Sequence, residues 1–188
     1  NYQLVIGSVD NIPVLHWSIT AKSVDLSDFE WDYAGKNFVY DGQTEYKVLL
    51  TDLGELSDYV AYRNNKSITA GTFIAEAYTT SAFNTSELAN NYDFGASEFT
   101  KLSWSVAKKQ YQFVYAGWNE TSFEYSGTSH EVYLVDSQGN RITDANITYT
   151  GNVATDVGNY VAYAVLSESA KDNFSLPEIK LEWKIDKK

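Results

Sequence analysis

The chain contains no cysteine, no methionine and only two prolines in 188 residues. Without cysteine there is no disulfide, no thiolate nucleophile and no cysteine-ligated zinc or iron–sulfur centre. The lack of oxidisable sulfur suits a protein living in oxidising surroundings. Basic residues are also scarce, 14 Lys and Arg against 25 Asp and Glu, for a net charge of −11. A phosphate backbone is repelled by that balance, and no Lys/Arg stripe offers a local exception, so nucleic acid is excluded as a partner. Anionic membrane surfaces are disfavoured for the same reason. No apolar run approaches the ~18–20 residues a membrane-spanning helix needs, so no membrane insertion is expected. No signal peptide is recognisable and the first residue is Asn1, so the chain reads as a segment of something longer.

Aromatic residues, by contrast, are plentiful at 15%, and 44% of residues are hydrophobic, enough for a well-filled core. The length fits one large domain or two of roughly 90 residues. Internal repetition decides for two. Leu15-His16-Trp17-Ser18-Ile19 recurs as Leu102-Ser103-Trp104-Ser105-Val106 and again as Leu181-Glu182-Trp183-Lys184-Ile185. Trp17 and Trp104 are 87 residues apart, and so are Trp31 and Trp118. Phe38-Val39-Tyr40-Asp41-Gly42 matches Phe123-Glu124-Tyr125-Ser126-Gly127. Gly71-Thr72-Phe73-Ile74-Ala75-Glu76-Ala77 matches Gly158-Asn159-Tyr160-Val161-Ala162-Tyr163-Ala164, and Asn91-Tyr92 matches Asn173-Phe174. The reading is a tail of a preceding repeat at 1–22, a first repeat at 23–107 and a second at 108–188. Asn1-Tyr2 would stand to Trp17 as Asn91-Tyr92 stands to Trp104.

The anchors alternate as strands do. Leu15, Trp17 and Ile19 are interleaved with His16 and Ser18, the period of a sheet with one buried face. Phe73, Ala75 and Ala77 alternate with Ile74, Glu76 and Tyr78, and Tyr160, Ala162 and Ala164 behave likewise. The run Val132, Leu134, Asp136 ends in the turn sequence Ser137-Gln138-Gly139-Asn140. Only residues 86–90 tolerate a helix, at most a turn or two. Short strands separated by turn residues indicate a sandwich or barrel.

Asp156-Val157-Gly158-Asn159-Tyr160 narrows the choice. It resembles the tyrosine corner of immunoglobulin folds, in which the Tyr hydroxyl bonds backbone a few residues upstream. The first copy carries Phe73 at the corner, so that bond must be missing there. Together with the Phe-x-Tyr-[Asp/Ser]-Gly strand end, Tyr149-Thr150-Gly151-Asn152 and the Trp-Ser-[Ile/Val] strand, the corner resembles the tandem immunoglobulin-like repeats of bacterial surface proteins, the Tyr-Asp-Gly-type repeats of large adhesins. The resemblance covers residues 23–188. It implies an all-β chain of two tandem immunoglobulin-like β-sandwich domains, outside the cell, with a stalk or adhesion role and no catalytic residues. A secreted sandwich without disulfides fits a bacterial surface better than an animal one.

Few residues point to chemistry rather than to plainer roles. His16 lies at a position held by Ser103 and Glu182 in its copies, and neither it nor His130 stands in a metal-ligand spacing. Asp25 with Asp28, or Asp52 with Glu55, could form a glycosidase-type carboxylate pair or help hold a calcium ion between repeats. Neither pair recurs in the second copy, and solvated loop charge is the simpler reading. Five Asn-x-Ser/Thr sequons, at Asn65, Asn84, Asn119, Asn146 and Asn173, are read as products of composition. Trp31, Tyr33 and Trp118 lie in polar, Gly-containing stretches, where aromatic planes could stack on sugar rings. Retention of the Trp in both copies favours a packing role instead.

The expectation is therefore a monomeric, non-enzymatic module without cofactor or metal, at a bacterial surface. Its partners would be neighbouring repeats, with a host protein or polysaccharide as a further ligand. Short linkers near Ala107-Lys108-Lys109 would make a semi-rigid rod. The alternative is a carbohydrate-binding sandwich of a secreted enzyme, using Trp31, Tyr33 and Trp118.

Overall fold

A computed structural model of the chain describes residues 2–9, 12–95 and 99–188, with the backbone alone for residues 2–9 and 12–15. The protein is all-β. Among the described residues the only helical elements are 3-10 turns at Leu26–Asp28, Gly54–Tyr59, Phe83–Thr85 and Glu87–Asn90. The last of these answers to the expected turn at 86–90; the other three carry no helical periodicity.

The chain divides into two compact units. One comprises Asn1–Asn37, Glu45–Ile68 and Thr72–Ser105, the other Phe38–Thr44, Thr69–Gly71 and Val106–Lys188. In the first, the strand Gly71–Thr79 lies between Phe99–Ala107 and Val60–Arg63, and pairs antiparallel with the latter. Lys22–Ser23 pairs parallel with Tyr92–Asp93, and Tyr46–Lys47 antiparallel with Ser67 and Lys66. Val24, Leu26, Leu50, Leu53, Leu56, Val60, Ala77, Phe83 and Phe94 form a buried cluster in it.

The second unit contains a four-stranded sheet in the order Ser122–Glu124, Ile179–Asp186, Gly158–Leu166, Ile147–Thr150. Its first pair is parallel and the other two are antiparallel. Lys109–Gln110 pairs parallel with Phe174–Ser175, and His130–Glu131 antiparallel with Ala154 and Val153. The unit also includes the parallel pairing of Phe38–Val39 with Val106 and Ala107. Its core divides into one cluster around Val132, Ala162, Trp183 and Ile185 and another around Leu134, Ile147, Ala164 and Ile179.

Side-chain alternation explains how these strands pack. Along Gly158–Leu166, Ala162 and Ala164 are buried while Val161 and Val165 face outward; Ala75, Ala77 and Ile74 repeat that arrangement in Gly71–Thr79. Small alanines leave room for the large residue on the neighbouring strand. Trp104 is 1% exposed and Trp183 2%. The Gly/Asn turn after Leu134–Val135 is held by Asp136, whose Oδ1 accepts from the backbone N–H of Gln138 at 2.8 Å and of Asn140 at 2.9 Å.

One strand departs from expectation. Trp17 and Ile19 on Ile12–Ile19 are 66% and 67% exposed, so the face expected to be buried lies open at these two positions. Trp104 and Trp183 sit in sheets of four strands, whereas Ile12–Ile19 belongs to a two-stranded sheet with Tyr2–Val9, and among the described residues no second layer covers Trp17 or Ile19. The equation of Asn1-Tyr2 with Asn91-Tyr92 also fails at the Tyr. Tyr2 opens a long antiparallel strand, while Tyr92 opens a two-residue parallel one. Asn1 and the side chain of Leu15 lie outside the described residues.

Candidate functional site

Trp31 and Trp118, the proposed sugar platforms, are half-buried, and their rings are engaged by the protein itself. Trp31 packs on the core of the first unit, edge-on to Tyr62 with centroids 6.0 Å apart at 71°. Trp118 packs on both core clusters of the second unit, edge-on to Tyr149 at 5.9 Å and 65°. Each Tyr hydroxyl in turn accepts from backbone, from Leu50 N at 3.2 Å and from Leu134 N at 3.3 Å. Burial raises the Tyr62 phenol above its ordinary value, partly offset by the bond from Leu50. Tyr33 is also tied down, its hydroxyl accepting from Ser105 N at 3.1 Å. Both rings thus have the packing role that their retention favours, while stacking on a sugar would need a ring face left open.

A second correspondence surrounds the buried Trp. Trp104 donates through Nε1 to the carbonyl of Asn64 at 2.9 Å, and Trp183 to that of Gly151 at 3.1 Å. Asn64 (φ 50°) and Gly151 (φ 65°) share the left-handed conformation that turns the carbonyl toward the indole. The next residues, Asn65 and Asn152, donate from Nδ2 to Val48 O at 3.1 Å and Val132 O at 3.2 Å. Their own carbonyls accept from Val48 N at 2.8 Å and Val132 N at 2.9 Å. Each Asn thus clips a fully buried valine by both of its backbone groups. Sequence alone hides this role, because Asn65 stands in a sequon that composition explains. The available signal was identity at the shared spacing, for Asn65 and Asn152 as for Tyr62 and Tyr149.

Other sequon residues serve similarly. Asn119 donates to Glu131 O and accepts from Tyr133 N, Asn146 donates to the Tyr111 hydroxyl, and Asn173 Oδ1 accepts from Ala70 N within the second unit. At Asn119 and Asn146 the donor is Nδ2, the atom a glycan would modify, whereas at Asn173 the bonded atom is Oδ1. Asn84 lies exposed in the turn Phe83–Thr85.

Both carboxylate candidates do come together. Asp25, Asp28, Asp52 and Glu55 line one open groove of 510 Å³ in the first unit, with Lys22 and Tyr92 beside them. Tyr92 donates to Glu55 Oε1 at 2.6 Å, a bond that raises the Tyr92 phenol above its usual value. Asp25 caps the turn Leu26–Asp28 by accepting from Ser27 N at 2.8 Å. Two of the four acids therefore have structural tasks. Among the described residues no three acidic or histidine side chains converge closely enough to hold a metal ion. His16 is exposed; His130 lies over Phe123 at 4.6 Å and shares a hydrogen bond with Ser126.

In the second unit, Tyr111, Phe113 and Tyr115 stack in a row, with centroids 6.5 Å and 5.7 Å apart. Tyr111 is fixed by donating to Asp144 Oδ2 at 2.9 Å, and Val114 beside the row is 89% exposed. Tyr111 also meets Phe174 edge-on, with centroids 5.2 Å apart.

No known protein family and no curated protein matches the chain.

Proposed function

We propose that the chain is a non-catalytic, extracellular stalk or adhesion module of a bacterial surface protein, built of two immunoglobulin-like β-sandwich domains. The observation that carries this reading is the recurrence of one internal scaffold. A buried Trp, a left-handed residue, an Asn clip and a Trp–Tyr pair appear at matching places, each holding its own unit together. Residues retained in both copies serve packing and backbone satisfaction, which is what a structural repeat requires. The hydrogen bond from Tyr160 to Asp156 O, at 2.7 Å, supports the immunoglobulin-like assignment, since the tyrosine corner is built from that contact. The absence of cysteine and the acidic surface fit an exposed bacterial protein.

The test is twofold. Antibody against the chain should label intact cells of the source organism, and soluble polysaccharides should leave tryptophan fluorescence unchanged. Labelling only after permeabilisation would sink the extracellular reading. A saturable spectral shift that disappears in Trp31→Phe or Trp118→Phe would replace it with the carbohydrate-binding one.

A further inference from the structure

We infer that the hairpin formed by Tyr2–Val9 and Ile12–Ile19 is the closing pair of strands of a third copy of the repeat. The remaining strands of that copy, ahead of Tyr2 in the same polypeptide, cover Trp17. The inference rests on the repeat reading above and adds what the hairpin's open apolar face is for.

Three observations lead to it. First, the chain leaves each Trp strand in the same way. Lys22 follows Trp17 by five residues as Lys109 follows Trp104, and each Lys N–H starts a short parallel pairing, Lys22 N to Asn91 O at 2.7 Å and Lys109 N to Asn173 O at 3.0 Å. Second, the hairpin has the pairing of the last two long strands of the second unit. Leu4 opposes Trp17 as Tyr160 opposes Trp183, Ile6 opposes Leu15 as Ala162 opposes Leu181, and Tyr2 opposes Ile19 as Gly158 opposes Ile185. Third, the side chains that are buried in the other copies are open in this one. Trp17 and Ile19 are 66% and 67% exposed, against 1% and 2% for Trp104 and Val106 and 2% and 1% for Trp183 and Ile185.

Adjacent large apolar residues left in water on one strand face mark a contact surface. Its occupant must offer what Trp104 and Trp183 receive: a second layer, and the carbonyl of a left-handed residue for the indole N–H. A repeat copy supplies both, and the two existing copies fix where. Trp31 and Trp118 lie 42 residues before Phe73 and Tyr160; Tyr62 and Tyr149 lie 11 before; Asn65 and Asn152 lie 8 before. The third copy therefore carries a Trp, a Tyr and an Asn at 42, 11 and 8 residues ahead of Leu4.

The experiment begins by reading the residues encoded ahead of Asn1. The expected result is that Trp, Tyr, Asn triad. A different sequence there, or no preceding residues at all, overturns the inference. The longer natural polypeptide is then compared with the 188-residue chain by acrylamide quenching, taking Trp17 as the difference between the wild type and Trp17→Phe. Trp17 should be freely quenched in the shorter chain and protected several-fold in the longer one, to the level of Trp104 and Trp183. Quenching that stays as free in both overturns the third copy while leaving the other two intact. If Trp104 and Trp183 are themselves freely quenched, the repeat reading fails and the inference falls with it.

Discussion

The hydroxyl of Tyr160 donates to the carbonyl of Asp156, four residues back, across 2.7 Å. The ring that carries it lies 4.9 Å from Trp183 at a tilt of 33°. Phe73 holds the same relation to Trp104, 5.0 Å at 36°, with no hydroxyl to donate. The two corners thus share a packing contact and differ by one hydrogen bond.

Removing that bond isolates its contribution. Tyr160→Phe keeps the ring on Trp183 and should cost about 0.5–1.5 kcal/mol, toward the low end because water can reach the carbonyl it frees. Phe73→Tyr should be neutral or slightly stabilising. Denaturant unfolding of the whole chain, followed by tryptophan fluorescence, measures both. An unchanged midpoint for Tyr160→Phe would remove the corner from the argument for an immunoglobulin-like fold.

Trp104 and Trp183 should be the most sensitive positions. Truncation to Ala opens a large cavity beside Phe73 or Ala162 and should cost roughly 3–5 kcal/mol. Trp17→Ala in the 188-residue chain should cost well under 1 kcal/mol, because exposed positions carry little burial energy. Equal losses at the three positions would show that exposure of Trp17 does not describe the chain in solution.

The paired clips offer a test of the shared scaffold. Asn65→Ala and Asn152→Ala each strip a partner from a buried valine carbonyl and should each cost about 1–3 kcal/mol. Asn84→Ala, in an exposed turn, should fall within about 0.5 kcal/mol of wild type. A neutral result at either clip, measured by the same unfolding curves, would mean that the valine carbonyl finds water instead.

Gly151 and Asn64 occupy equivalent left-handed positions but tolerate side chains differently. A Cβ on Gly151 would stand 2.1 Å from the carbonyl oxygen of Val161, a backbone atom that cannot swing aside. Gly151→Ala should therefore cost more than about 1 kcal/mol, strain and clash together. Asn64→Gly should cost far less, and thermal unfolding of the two variants compares them directly.

Acid should destabilise the protein through its loop carboxylates. The Thr44 hydroxyl, with the backbone N–H groups of Thr44 and Gln43, lowers Asp41 from 3.8 to about 2. Asn140 lowers Asp136, and Lys184 lowers Asp186. A carboxylate whose folded value is depressed takes up its proton first in the unfolded state. Its contribution is thus complete above its unfolded value near pH 4 and is lost as pH falls toward 2. Asp41→Asn should flatten, without abolishing, the fall in Tm between pH 5 and pH 2.5. An unchanged slope would place the acid sensitivity elsewhere.

Much of the fold was legible because strands with one buried face announce themselves by alternation. Phe73, Ala75 and Ala77, like Tyr160, Ala162 and Ala164, face inward as their spacing indicates. The short parallel pairings were not legible, since two residues such as Lys22 and Ser23 carry no period, and their partners lie some 70 residues away. The 3-10 turn at Gly54–Tyr59 is set by the burial of Leu56 against a core that no local pattern reveals. At Trp17 the motif reported the strand correctly and misreported its burial. Alternation says which side chains share a face, not whether another layer meets it. The carboxylate groove shows the converse, because Asp25 and Glu55 become neighbours only through tertiary folding.

The parallel pairings in the second unit bear on how it would carry tension. Lys109–Gln110 runs parallel to Phe174–Ser175, and Ser122–Glu124 runs parallel to the end of Ile179–Asp186. A pull directed along the strands from Lys109 and Asp186 would draw each of them lengthwise past its partner. The hydrogen bonds of a pair are then loaded together in shear, whereas in a hairpin pulled from its two ends they would open one after another. Resistance to such a pull is set by the unfolding barrier rather than by equilibrium stability. A unit whose parallel pairings are sheared rather than unzipped can be only modestly stable at rest and still hold for long under load.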